Sequence, residues 1–454
     1  MLVAVATGFA GVVVAAQARA QTPAPPASPA SLNQSGSLNQ SGAFDSQTTL
    51  APWSAAAQST IAGTNIPQQG VAVPQRPANK PRRVDIQLGS SVIYDTNASR
   101  SNAARAAALN LSRSDIRIPL AVNLDIVLPS GPNSFSLNGN IGYDFNVRNT
   151  KRNRENISLH AGYQRNFQPC AVSLGSAYQR GTIQLGNIGF VTGQPVSVSN
   201  VETRTGLNGS VSCGSVGGLR PFVSANYADA SNSDARRAFA NYNTITYGGG
   251  LVLGQPSFVE VGVLASMDDT KYPNRSGSTF LAKSFQSRSV GVYFQRAAAR
   301  HLKARVQLNY TSVNNGGGGR SFNGLSGQAN ATFIPGGRFV FDASFSRATS
   351  GSLTAAADYQ ILTAWGASVT AAVGAKTSVA LNVQNAGRKY IASSYNPIHP
   401  LISDTIRTYG MSARHRLGRR LNLNADVVRE SRRANDPFFN FSGMRFSIGA
   451  SLSL

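Results

Sequence analysis

The sequence predicts an all-β fold: a closed antiparallel transmembrane β-barrel of about 16–18 strands, with a disordered N-terminal segment ahead of it. Three observations carry this. From residue 84 onward, apolar side chains recur at every second position, the period of a strand whose alternate side chains face opposite ways. The stretches that do so are separated alternately by short and long connections. Beyond the N-terminus there is no run of about 20 apolar residues, the length a helical span requires.

Taken in order, residues 1–20 read as a secretory signal peptide. Their apolar run is short, and Ala18-Arg19-Ala20 forms an A-x-A cleavage site before Gln21. Residues 21–82 are rich in Pro, Ala, Ser and Gln, and SLNQSG occurs twice in tandem. Such a segment buries too little apolar surface to offset the entropy of ordering, so it reads as a disordered periplasmic spacer. It is also too short and polar to be a folded plug. Residues 83–454 form the barrel.

The clearest strand is 115–128, DIRIPLAVNLDIVL. Ile116, Ile118, Leu120, Val122, Leu124, Ile126 and Leu128 make one face aliphatic, and Arg117, Asn123 and Asp125 lie on the other. The same alternation marks 84–94, 135–147, 157–167, 172–178, 203–211, 259–263, 302–310, 339–345, 361–373, 421–427 and 444–454. Short turns are expected at 129–133, 166–169, 214–218, 254–257, 297–301, 335–337, 374–376 and 417–420. Longer external loops are expected at 98–114, 181–200, 230–241, 268–279 and 387–403. Open sheet edges cannot sit in hydrocarbon, so the sheet must close, with both ends of the barrel sequence at the periplasmic side. Pro119 lies mid-strand and lacks a ladder donor, which predicts a local bulge or a missing hydrogen bond.

The aliphatic face then belongs to lipid and the polar face to the lumen. By parity the pore wall includes Arg117, Asn123, Asp125, Asn140, Asp144, Arg148, Arg204, Glu260, Lys303, Arg305, Asp342, Asp404, Arg414, Asp426 and Arg445. With Glu202 included, acidic and basic members balance, so the formal charge of +23 must sit mostly in loops, where Arg100, Arg105 and Arg152 crowd the first two. External cations suit the phosphates of lipopolysaccharide or an acidic glycan. No nucleic-acid-binding motif or basic helix accompanies the charge. Tyr94, Tyr178, Tyr227 and Tyr310 suit an external aromatic girdle; Phe135, Phe167, Phe333 and Phe339 suit a periplasmic one. Cys170 and Cys213 fall at one level of neighbouring strands near the periplasm, where a cross-strand disulfide is expected. The last residues, RFSIGASLSL, are similar to the terminal signal that barrel-insertion machinery reads, with Leu454 in place of the usual aromatic.

Enzyme signatures are weak. Of four histidines only His160 has lumen parity, and no GxSxG, HExxH or Walker pattern occurs. No cofactor or metal is expected. A barrel of this width leaves an aqueous lumen unless something fills it, which implies passive passage of polar solutes. The alternatives are an assembly barrel that binds periplasmic partners through residues 21–82 and an outer-membrane enzyme.

Tyr94-Asp95-Thr96-Asn97 at the end of the first strand, after a Pro-rich lead, and Asp268-Asp269-Thr270-Lys271-Tyr272 in mid-chain resemble features of the β-barrel porin 2 family of outer-membrane proteins. The first motif departs from the family's YDDN-like pattern at Thr96. The resemblance covers the barrel region. It implies an outer-membrane protein often associated with exopolysaccharide export, with export components as candidate partners, and it brings no catalytic residues.

Overall fold

The computed structural model describes residues 82–454 except 183–189, 192–193, 196–198, 216, 256–258, 276–281, 297–300, 316–320, 352–356 and 393–400. The expected signal peptide, and all but the last residue of the expected spacer, lie outside the described residues.

The chain forms one 18-stranded antiparallel sheet. The strands are β1 (Arg83–Asp95), β2 (Asp115–Ser130), β3 (Asn133–Asn146), β4 (Arg154–Phe167), β5 (Cys170–Thr182) and β6 (Val201–Cys213). Then come β7 (Leu219–Asn232), β8 (Tyr242–Gln255), β9 (Val259–Lys271), β10 (Ser284–Arg296), β11 (Leu302–Asn315) and β12 (Phe322–Phe333). The last six are β13 (Phe339–Gly351), β14 (Ala357–Val373), β15 (Thr377–Ala392), β16 (Ser403–Leu417), β17 (Leu421–Ala434) and β18 (Phe441–Ser453). Each strand pairs with the next, and β18 returns to β1 in a register running from Gln87↔Ser453 to Asp95↔Arg445. The sheet therefore has no free edge, as a lipid-embedded sheet requires. Among the described residues one α-helix, α1 (Ala103–Ala108), lies in the β1–β2 connection, capped by the Asn102 side chain accepting from the Arg105 N–H.

The short turns fall at one end of the barrel and the longer connections at the other. The long connections at 268–279 and 387–403 are shorter than the sequence reading has them, because β9 runs to Lys271 and β15 to Ala392. Strands of 12 to 17 residues exceed the roughly 9–11 needed to cross a bilayer, so their ends stand in water. There both faces can be polar, and polarity no longer separates strand from loop. The DDTKY stretch thus lies mainly on β9, not in a loop.

The outer surface carries the aliphatic positions. Val92, Leu207, Val223, Val290, Leu325 and Ile448 are all more than half exposed on it. Near the external ends Tyr94, Tyr227 and Tyr310 are exposed outward, with Tyr178 half-buried; Phe135, Phe167, Phe333 and Phe339 are exposed near the turns. Such rings favour the two membrane–water interfaces. Rings also meet there: Phe135 lies 5.0 Å from Tyr163, and Phe341 6.2 Å from Phe333.

Pro119 causes a gap and no bulge. The β1–β2 register is the same on either side, Ser90↔Leu120 and Ile93↔Arg117, but pairing lapses at the positions between. Toward β3 the ladder continues through Pro119↔Asp144. The missing N–H therefore faces β1. Cys170 and Cys213 stand opposite each other in the β5–β6 register and are joined by a disulfide.

Candidate functional site

The inner wall follows from strand parity. Small side chains there hydrogen-bond across strands, as in Ser289–Thr311–Ser326 (2.9 and 2.6 Å) and Thr244–Thr270 (2.8 Å). One sector departs from the polar wall the sequence implies. Phe222, Val252, Leu264 and Tyr293 form a buried inward cluster on β7–β10. In register they face inward glycines: Gly250 lies opposite Phe222 and Leu264, and Gly262 lies opposite Val252 and Tyr293. A Cβ at Gly250 would stand 2.9 Å from the Phe222 ring. The glycines let bulky side chains lie flat across the wall. Three consecutive apolar residues, Leu251–Val252–Leu253, conceal this inward position in the sequence.

Of the residues assigned to the wall, all but one lie within strands at positions of inward parity. Arg148 lies exposed beyond the end of β3, its backbone N–H donating to Asp115 (2.9 Å) and its guanidinium to Ser114 Oγ (2.6 Å). Its even number continues the alternation of β3 past the last residue of the strand, Asn146. The remainder fall into separate groups. Asn123 faces Asn140, and Asp125 accepts an ion pair from Arg83 (3.0 Å) low on β2. Glu260 pairs with Arg220 (3.1 Å) near Lys303 and Arg305 at the turn end of β7–β11, where Arg305 lies 5.2 Å from the Tyr293 ring centre. Asp342 accepts from Thr332 Oγ1 (2.7 Å), and Asp426 from Ser447 Oγ (3.0 Å). Arg414 lies opposite Asn424, and Arg204 pairs with Glu202 at the loop end of β6.

The largest assembly spans the external half of β15–β18 and β1–β3. Arg388 on β15 makes a two-point contact with Asp404 on β16 (2.7 and 2.6 Å), and Arg432 on β17 closes on the same carboxylate. Glu430 pairs with Arg100 (3.4 Å), which also reaches Asp95 (3.0 Å). Arg445 stands opposite Asp95 in register. Arg117 on β2 pairs with Asp144 on β3 (3.5 Å). Arg152, from the loop after β3, donates to the Ala98 carbonyl (3.1 Å) and ties the first two loops together. Arg105 of α1 is fully buried, its guanidinium 5.0 Å from the Phe439 ring centre.

In this arc Arg100, Arg105, Arg117, Arg152, Arg388, Arg432 and Arg445 outnumber Asp95, Asp115, Asp144, Asp404 and Glu430. The surplus shows in the loop groups. Burial, then the nearby charges of Arg117 and Arg100, push Arg152 down to about 10. Burial and Arg432 do the same to Arg105, to about 10. Burial also opposes the charge of Arg100, but Glu430 and Asp95 more than offset it and hold its pKa above the ordinary arginine value. All three remain protonated at neutral pH.

Much of this arc is not legible in the sequence. Arg100 and Arg105, expected among cations turned toward the outside, are turned inward. What fixes Arg100 is the TyrAspThrAsn turn. The Asp95 carboxylate accepts the Asn97 N–H (2.8 Å), while Asn97 Nδ2 donates to Ser101 O and Ser442 O (2.9 and 3.0 Å). Thr96 Oγ1 accepts from the Met444 N–H (2.8 Å). The motif thus stitches the first loop to β18, where a Cβ on Gly443 would stand 2.8 Å from that of Asn97.

Comparison with solved structures finds likenesses of fold at low identity. OccK2 (OpdF) of Pseudomonas aeruginosa aligns at TM-score 0.44 and 10% identity, over 82% of this chain and 98% of that one. This chain is a closed antiparallel β-barrel of 18 strands. A BenF-like porin from Pseudomonas fluorescens Pf-5 aligns at 0.43 and 10%, over 82% and 99%. The siderophore receptor PirA of Acinetobacter baumannii aligns at 0.40 and 8%, over 83% and 81%. These likenesses concern the fold alone. No protein-family model and no curated protein matches the chain.

Proposed function

We propose that the barrel is a passive outer-membrane channel for polar solutes, with a preference for anions. The observation that carries this is the arginine surplus on the inner face of the external half. Arg117 and Arg100 retain side-chain exposures of 31% and 16%, enough to meet a passing solute, while Arg388 and Arg432 are almost wholly buried. A ring of fixed cations lowers the energy of an entering anion and raises that of a cation. Arginine adds two-point hydrogen bonding to carboxylate or phosphate. The paired carboxylates keep the surplus modest, so a solute is attracted without being trapped.

The resemblance to the β-barrel porin 2 family adds an exported acidic polysaccharide as a candidate cargo and export components as candidate partners. The alternating terminal strand β18 supports delivery by barrel-insertion machinery. The test is swelling of liposomes containing the purified full-length protein, in isosmotic gluconate and in isosmotic neutral sugar. Gluconate is expected to enter faster, and an Arg100→Gln, Arg117→Gln, Arg152→Gln variant is expected to lose the difference. Equal entry by the unaltered protein would contradict the anion preference, and no swelling at all would contradict the channel.

A further inference from the structure

The outer face of β16 and β17 carries a feature the channel does not use. Toward the external end, outward positions on β16 pass from Met411 through Tyr409 to Arg407. On β17 they pass from Val427 through Arg429 and Ser431 to Arg433. In register, Tyr409 faces Arg429, Arg407 faces Ser431, and Thr405 faces Arg433. Arg407, Tyr409, Arg429, Ser431 and Arg433 together line an open cavity of about 470 Å³.

The three arginines are exposed, and among the described residues none forms an ion pair with a carboxylate. The nearest strand carboxylates, Asp404 and Glu430, face inward and are held by Arg388, Arg432 and Arg100. Elsewhere on the outer face an arginine can be neutralised: Arg180 pairs with Glu155 at 2.6 Å. Three like charges gathered without a counterion repel one another and favour an anion between them. Their height identifies its source. They stand directly above Met411 and Val427 of the lipid-facing belt, with Tyr409 at the boundary, and they face away from the lumen. A solute in the pore never meets them; a headgroup in the outer leaflet does.

We propose that Arg407, Arg429 and Arg433 bind the phosphate of an outer-leaflet glycolipid. Arginine forks match phosphate oxygens, Ser431 offers a hydroxyl donor, and Tyr409, Met411 and Val427 lie where the acyl chains begin. The site is independent of the channel reading.

The experiment is native mass spectrometry of the detergent-solubilised full-length protein titrated with bis-phosphorylated lipid A, with dephosphorylated lipid A, and with inorganic phosphate as competitor. The unaltered protein is expected to retain bis-phosphorylated lipid A selectively. Each Arg→Gln change is expected to weaken retention about fivefold, and the triple variant about a hundredfold. Should the triple variant fold poorly, the graded loss across the three single variants carries the test. Arg288→Gln, an exposed outward cation on β10, is expected to change nothing. Equal retention of dephosphorylated lipid, equal loss with Arg288→Gln, or full displacement by inorganic phosphate would each overturn the site.

Discussion

Asp404 shows how a single side chain can hold a wall of this kind together. Its carboxylate is 3% exposed and lies between Arg388 and Arg432, themselves 4% and 2% exposed. Removing one partner of a buried ionic cluster is costly because the remaining charges stay buried without compensation. Asp404→Ala is therefore expected to destabilise the barrel by about 3–5 kcal/mol, read as a lower urea midpoint in micelles. An unchanged midpoint would show that Asp404 does not hold the two guanidinium groups. Gly291 tests close packing in the same way. A Cβ there would stand 2.1 Å from Asn309 Oδ1 and 2.3 Å from the Leu308 carbonyl oxygen. The backbone contact cannot swing aside, so Gly291→Ala is expected to cost about 1–3 kcal/mol by the same measurement. The sequence makes Asn309 legible as an inward residue by parity, but gives no sign that its side chain lies over a glycine of the neighbouring strand.

At the level of the strand and its connection, legibility followed the physics of the two solvents. Within the bilayer, one face must be apolar and the other is free to be polar, so β2 could be read almost to its ends. Above the bilayer that constraint lapses, and the outer turns of β9 and β15 passed for loop. The mouth was the hardest part to foresee. Arg105 reaches Phe439 because α1 and the β17–β18 connection fold together, a contact between segments far apart in sequence. The cysteines were easier, since both positions follow from hairpin register. Their disulfide joins residues separated by 43 in sequence, on strands already paired along their length. Cys170→Ser with Cys213→Ser is expected to lower stability by at most about 3 kcal/mol and to leave conductance unchanged. Maleimide labelling of both thiols in unreduced protein would contradict the bond.

For the whole molecule, the account rests on charge distribution in a closed wall. The balance of acidic and basic wall residues read from parity alone left the lumen neutral. Folding the first two loops inward adds Arg100, Arg105 and Arg152 to the wall and tips it positive. The loop arginines with the lowest pKa values titrate only near about 10, so anion preference is expected to stay constant between about pH 6 and 9. A fall in preference across that range, followed by reversal potential, would place control of selectivity on other groups. The most direct measurement is the reversal potential of the purified full-length barrel in a planar bilayer under a potassium chloride gradient. The account predicts steady conductance with chloride favoured over potassium, and a shift toward non-selectivity in the Arg100→Gln, Arg117→Gln, Arg152→Gln variant. A cation-selective pore, or a silent one, would contradict it.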